Sequence, residues 1–296
     1  MVDGMSTTRI IPKTDIMGRY RDLRGMSQAK RLSHARRLVE HPEELATESA
    51  ASVAHFAPYS NLDEQFYPER PERHYSEDFK NTNDVVLRLK EQKQVIPVDA
   101  PDRAIGRDAG PTVTAVLASA LASTYVDREL LVQRTTSPAK WEDGKRNLGG
   151  VRLDVLLADV ADRTPIVAEL KLPGDMDPFF ALVQALACAA HLATPNQYER
   201  MRRRPGGGQF PRLDGAPRLD VWVLFVDAAD RRAGQPPKGA YMADLEHAAE
   251  ALAPRLLAED ALTDSIRRIA GLGLRKLDGS DEVAADVRWA WERTGA

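Results

Sequence analysis

The chain predicts an α/β domain in which a central sheet is flanked by helices. Three observations carry that expectation. From residue 110 onward the pattern reads helix, strand, strand, strand, helix, strand, helix. The stretch VRLDVLLADVADRTPIVAELKL, beginning at Val151, reads as two apolar strands around the short polar turn ADRT. Asp177 and Pro178 then open a long apolar run to Ala193, as an N-cap residue followed by proline in the first helical turn.

The elements can be taken in order. Residues 1 to about 28 are polar and irregular. A helix is expected from Ser27 to about His41, stopped by Pro42, and a second from Glu43 to Phe56. Residues 57–80 carry proline, tyrosine and mixed charge and read as a loop or wrapping segment. Asp84 to Val98 reads as two extended runs around a polar turn. Gly110 to Val126 reads as a helix with Pro111 in its first turn, followed by a strand from Glu129 to Thr135. Strands are expected at Arg152–Val160, Pro165–Leu172 and Leu219–Val226. Helices are expected at Tyr241–Leu257 and Ala261–Gly271, with a last short helix in 282–296. The Gly271-Leu272-Gly273 run reads as a helix C-cap. Three regions result: an N-terminal helical or irregular extension over 1–104, a core over 105–235, and C-terminal helices packed on it over 236–296.

Bulk properties bound the function. At 296 residues the chain can bury a substantial core. A net charge of -3 excludes a histone-like polycation, so any nucleic-acid contact must be a local basic patch. Cys188 is the only cysteine, which excludes an intramolecular disulfide and a multi-cysteine metal site. No HExxH or paired zinc spacing, GxSxG elbow or phosphate-binding loop is present. The N-terminal MVDGMSTTRIIPKTD has no apolar core of a signal peptide, and the most apolar stretch, Phe179–Ala193, is too short to span a bilayer. A cytoplasmic protein without membrane contact is the expectation, and the Ala/Arg-rich composition suggests a bacterial one.

The chemistry concentrates in the hairpin. Strand alternation puts Val167, Glu169 and Lys171 on one face, and Ala168, Leu170 and Leu172 on the other. Asp154 and Glu169 are equidistant from the turn, since their midpoint falls between Ala161 and Asp162, so the two acids should oppose each other. Opposed carboxylates repel. A hard cation such as Mg²⁺ removes that cost and leaves room for water and a substrate phosphate. Lys171, two residues beyond Glu169, can orient or deprotonate a water or offset transition-state charge.

Asp154 followed by Glu169-Leu170-Lys171 resembles the PD-(D/E)XK nuclease superfamily, over about residues 105–230. The acid-x-Lys tripeptide alone is uninformative. It also occurs as Asp78-Phe79-Lys80, Glu91-Gln92-Lys93 and Asp143-Gly144-Lys145, but only the fourth copy ends an apolar strand behind an aspartate-bearing one. The resemblance implies a restriction-endonuclease-like core with a mixed sheet. It also implies metal ligation by Asp154, Glu169 and the Leu170 carbonyl, and a water-assisting role for Lys171. Gln184 matches the glutamine many members carry on the following helix. The helix expected at 110–126 lacks the acid some members place there, and Glu129 beyond it is a weak substitute, which leaves one or two metals open.

The implied activity is Mg²⁺-dependent hydrolysis of phosphodiester bonds by an endonuclease, with Mn²⁺ as a substitute metal. DNA is expected before RNA, in restriction, anti-phage defence, mobile-element biology or repair. Lys145, Arg146 and Arg152, with Arg202, Arg203 and Arg204, are candidates for phosphate contacts. The alternatives are a non-catalytic nucleic-acid-binding or scaffolding protein with this fold, or a subunit that forms a homodimer or larger complex through its N-terminal region.

Overall fold

A computed structural model describes residues 15–56, 82–98, 121–132, 152–172, 177–203, 210–212, 217–226, 241–276 and 283–293. Helices α1 (Ile16–Arg24), α2 (Gln28–Glu40), α3 (Pro42–Phe56) and α4 (Thr82–Gln92) come first. Strands β1 (Gln94–Val98), β2 (Ser123–Leu131), β3 (Arg152–Asp159) and β4 (Pro165–Lys171) follow. Then come α5 (Pro178–Leu192), α6 (Pro195–Arg202), β5 (Leu219–Val226) and α7 (Met242–Ala258). A 3-10 turn at Asp260–Leu262 leads into β6 (Ile266–Lys276) and β7 (Val283–Glu292).

The protein is α/β, with a seven-strand mixed sheet flanked by helices. β1 through β4 run as an antiparallel meander. β4, β5 and β6 are parallel, because α5–α6 and α7 carry the chain back over the sheet between them. β7 turns back antiparallel to β6 and pairs in parallel with β1, closing the strands into a barrel.

The strands bury both faces. Leu153, Leu156, Val167, Val221, Val223 and Phe225 join one core with α1, α2, α3, α5 and α7. Val155, Leu157, Ala168, Leu170, Trp222 and Leu224 fill a second core on the opposite face, covered by Val85, Val86 and Leu89 of α4. β4 is buried along its whole length, so Glu169 and Lys171 belong to a central strand and not to a solvated edge. At the turn end of β3 and β4, Arg267 bridges Asp220 at 2.8 Å and Asp159 at 3.0 Å, and Arg268 bridges Asp159 at 2.7 Å. This buried ionic net ties β3, β5 and β6 together.

Several elements differ from expectation. Residues 84–92 are helical, and only β1 of the expected extended pair is a strand. Val85, Val86 and Leu89 recur at three- and four-residue spacing, so one helix face buries all three in the second core. Ser123–Val126 lies in β2 and not at the end of a helix, and Val132 lies beyond β2, while residues 110–120 and 133–135 of the expected helix and strand lie outside the described residues. The C-terminal helices expected at 261–271 and in 282–296 are strands β6 and β7. Gly271 is a strand residue facing Trp289, not a C-cap: a Cβ there would lie 2.3 Å from Trp289 Cε2. No single helix among the described residues is long and apolar enough to cross a membrane.

Candidate active site

β3 and β4 bring the predicted residues together. Val155 pairs with Ala168 and Leu156 with Val167, so the next step outward sets Asp154 opposite Glu169. The half-buried Asp154 turns its Oδ2 to accept the Leu170 backbone N–H at 2.9 Å. N–H and C=O of one extended residue project to the same side, so the Leu170 carbonyl faces the Asp154 side of the strand. Lys171 Nζ donates to Glu169 Oε1 at 3.0 Å. Glu169 is 1% exposed, and its Oε2 has no hydrogen-bond partner among the described residues.

The electrostatics follow from this crowding. Burial pushes the Glu169 carboxyl well above the usual range, and Asp154 pushes it further, against the opposing pull of Lys171. Two acids share one ammonium. Beneath them on α5, burial raises the Cys188 thiol, and the same two carboxylates add to the rise. Cys188 is thus a buried thiol held in its neutral form, as its place on an apolar helix suggests.

Three helices, α1, α2 and α5, complete the surroundings. Asp177 caps α5 through Oδ1, which accepts the Phe180 N–H at 2.8 Å, and its Oδ2 is bonded by Arg31 Nε of α2. Arg31 also donates to the Met26 carbonyl at 2.8 Å, locking the α1–α2 junction onto the start of α5. The Phe180 ring stacks on Tyr20 of α1, with centroids 5.4 Å apart and planes at 14°. Lys171 Nζ lies 5.9 Å from the same ring's centroid and Arg31 Cζ 5.4 Å. Burial raises the Tyr20 phenol, with smaller influences from Arg24, Glu169 and Lys171. Gln184 of α5 donates to the Arg152 carbonyl at 3.4 Å, holding the beginning of β3 next to Asp154.

The structure thus gathers Asp154, Glu169, Leu170 and Lys171, with Gln184 and Arg152 at the margin. It does not bring Arg202 and Arg203 to them. Both sit at the end of α6 and pair with Glu199, and the neighbouring Tyr198 feels Asp162 of the β3–β4 turn, at the far end of those strands. Lys145, Arg146 and Arg204 lie outside the described residues. Tyr20, Arg31, Asp177 and Phe180 join the site without having been marked for it by sequence. Asp177 and Phe180 sit just beyond the motif and are legible only as a helix start, and no local signal marks Tyr20, which is remote in sequence from Glu169.

The site fits a hard divalent cation in two respects. Among the described residues a buried carboxylate oxygen has no donor, and a second carboxylate adjoins it. No cluster of three or more His, Cys, Asp or Glu side chains gathers among the described residues, so a metal here would take two carboxylates and complete its shell with the backbone and water. No protein-family model, curated protein or solved structure matches this chain.

Proposed function

We propose that this protein is a divalent-metal-dependent nuclease of PD-(D/E)XK type that hydrolyses phosphodiester bonds in DNA. The observation that carries the reading is the buried Glu169 oxygen without a partner among the described residues, set beside Asp154 and bridged to Lys171 on adjacent central strands. Burying two carboxylates around one ammonium is destabilising, and a bound cation offsets that strain.

Asp154, Glu169 and the Leu170 carbonyl would hold Mg²⁺, which when bound supplies Lewis acidity toward the phosphoryl oxygens and lowers the pKa of water. Lys171 holds its ammonium at the edge of the acid pair, where it can orient a water and offset charge developing on phosphorus. Phe180 and Glu169 restrain that ammonium from two sides. Gln184 steadies the backbone of the strand that presents Asp154. The packed helices α1 and α5 keep this face poor in bulk water.

The test is incubation of plasmid, linear DNA and RNA with Mg²⁺, Mn²⁺ or EDTA. Wild type should cleave DNA only with metal, and Asp154→Ala and Lys171→Ala should each lose at least about 10²-fold in rate. Cleavage in EDTA, or by both variants, defeats the mechanism. A second reading is a non-catalytic nucleic-acid-binding scaffold. It draws on the internal bonds that already engage one oxygen of each acid, and it predicts binding without cleavage under every metal.

A further inference from the structure

A strand of nucleic acid that places one phosphate at Asp154, Glu169 and Lys171 presents its neighbouring phosphates to whatever cations line the approach. Among the described residues, the cations at the site, Arg152 at its margin included, are already engaged. Lys171 is committed to Glu169, and Arg31 to Asp177 and two backbone carbonyls. Arg202 and Arg203 are paired with Glu199 at the other end of the strands. When both carboxyls are ionised they outnumber the Lys171 ammonium, and an incoming polyanion then meets repulsion unless another positive group is close by.

Arg24 meets that requirement. It is exposed in the last turn of α1 and makes no ion pair or hydrogen bond among the described residues. It follows Tyr20 by four residues, so the two side chains lie on one face of the helix as neighbours. Tyr20 is fixed over Phe180 by the ring stack, and Phe180 carries the Lys171 ammonium near its ring. The contacts therefore run from the acid pair through Lys171 and Phe180 to Tyr20, and Arg24 is the neighbour of Tyr20 one turn along α1. Electrostatic influence of Arg24, Glu169 and Lys171 on the Tyr20 phenol agrees with that placement.

We propose that Arg24, assisted by the Tyr20 hydroxyl, forms a seat for a phosphodiester adjacent to the one hydrolysed, so that α1 supplies the substrate-backbone contact for the acid–acid–lysine site. This rests on the nuclease reading for its biological meaning, but not for its test. The bland role for Arg24 is to offset the negative end of the α1 dipole, and that role would alter melting temperature without altering DNA affinity.

The experiment measures anisotropy of short fluorescein-labelled oligodeoxynucleotides, single- and double-stranded, in EDTA over a salt series. Losing one phosphate contact should weaken Arg24→Ala by about tenfold and lower the slope of log K against log salt by about 0.7–0.9. Arg24→Lys should keep most of the affinity, Tyr20→Phe should lose less than Arg24→Ala, and Arg21→Ala, an exposed cation on the same helix, should bind within about twofold of wild type. The seat is overturned if Arg24→Ala binds like wild type, if Arg21→Ala falls as far, or if wild type binds no oligonucleotide. Cleavage assays in Mg²⁺ run beside it. An Arg24-dependent affinity without any cleavage defeats the nuclease reading and leaves the seat standing, whereas cleavage and binding both indifferent to Arg24 defeat the seat alone.

Discussion

Glu169 sets the terms at the scale of a single residue. Its carboxyl is buried, loses solvation as an anion, and faces Asp154 as a second negative charge. A carboxyl whose folded-state pKa lies above its unfolded value binds its proton more tightly in the native protein. It therefore contributes stability at low pH, and that contribution is lost as pH rises from the usual carboxylate range through the raised native value. Glu169→Gln removes the burden and leaves Asp154 and Lys171 as a balanced pair. The variant should melt higher than wild type at alkaline pH, with the gap narrowing as the pH falls to the usual carboxylate range and Glu169 takes up its proton. Mg²⁺ should raise the melting temperature of wild type and not of the variant. A wild type and variant that melt alike at the higher pH, followed by scanning calorimetry, would contradict the placement of this carboxyl.

Elements hold the site through contacts that short sequence windows do not display. β3 and β4 pair so that the acids oppose, and α5 begins at an Asp177 cap locked by Arg31, which sets Phe180 beside Lys171. β6 and β7 close the barrel only because Gly271 leaves room for the buried Trp289. Gly271→Ala forces a methyl into the indole, and overpacking of this kind costs about 1–3 kcal/mol. Denaturant titration should show that loss while Gly25→Ala, whose nearest atom is 3.7 Å away, stays closer to wild type. The same glycine explains why β6 reads in sequence as a helix ending in a C-cap: a Gly-Leu-Gly run carries that signal locally, and only the facing tryptophan gives it another meaning.

Across the whole molecule, the N-terminal helices share one core with the sheet. Leu38 of α2, Leu45 of α3 and Ile16 of α1 are buried in the same cluster as Phe179 of α5 and Trp289 of β7. Such sharing predicts one cooperative transition. Leu38→Ala should cost about 2–5 kcal/mol and lower the midpoint equally by far-UV circular dichroism and by tryptophan fluorescence, although Leu38 is remote from every tryptophan in sequence. A fluorescence midpoint left unmoved would mean that α1–α3 unfold on their own. The sharing also gives the N-terminal region a part in the site, since Tyr20 reaches it through the packing of α1 on α5.

Local pattern determined the α/β class, the hairpin register that opposes Asp154 and Glu169, the placement of Lys171 on the same face, and the capped start of α5. Each of these is encoded over a few residues, by alternation, turn position or a cap. Tertiary structure alone decided that α4 covers the second core, that β1 meets β7, and that Tyr20 lies over Phe180. These depend on surfaces contributed by distant segments, and an apolar run carries no mark of which surface will bury it.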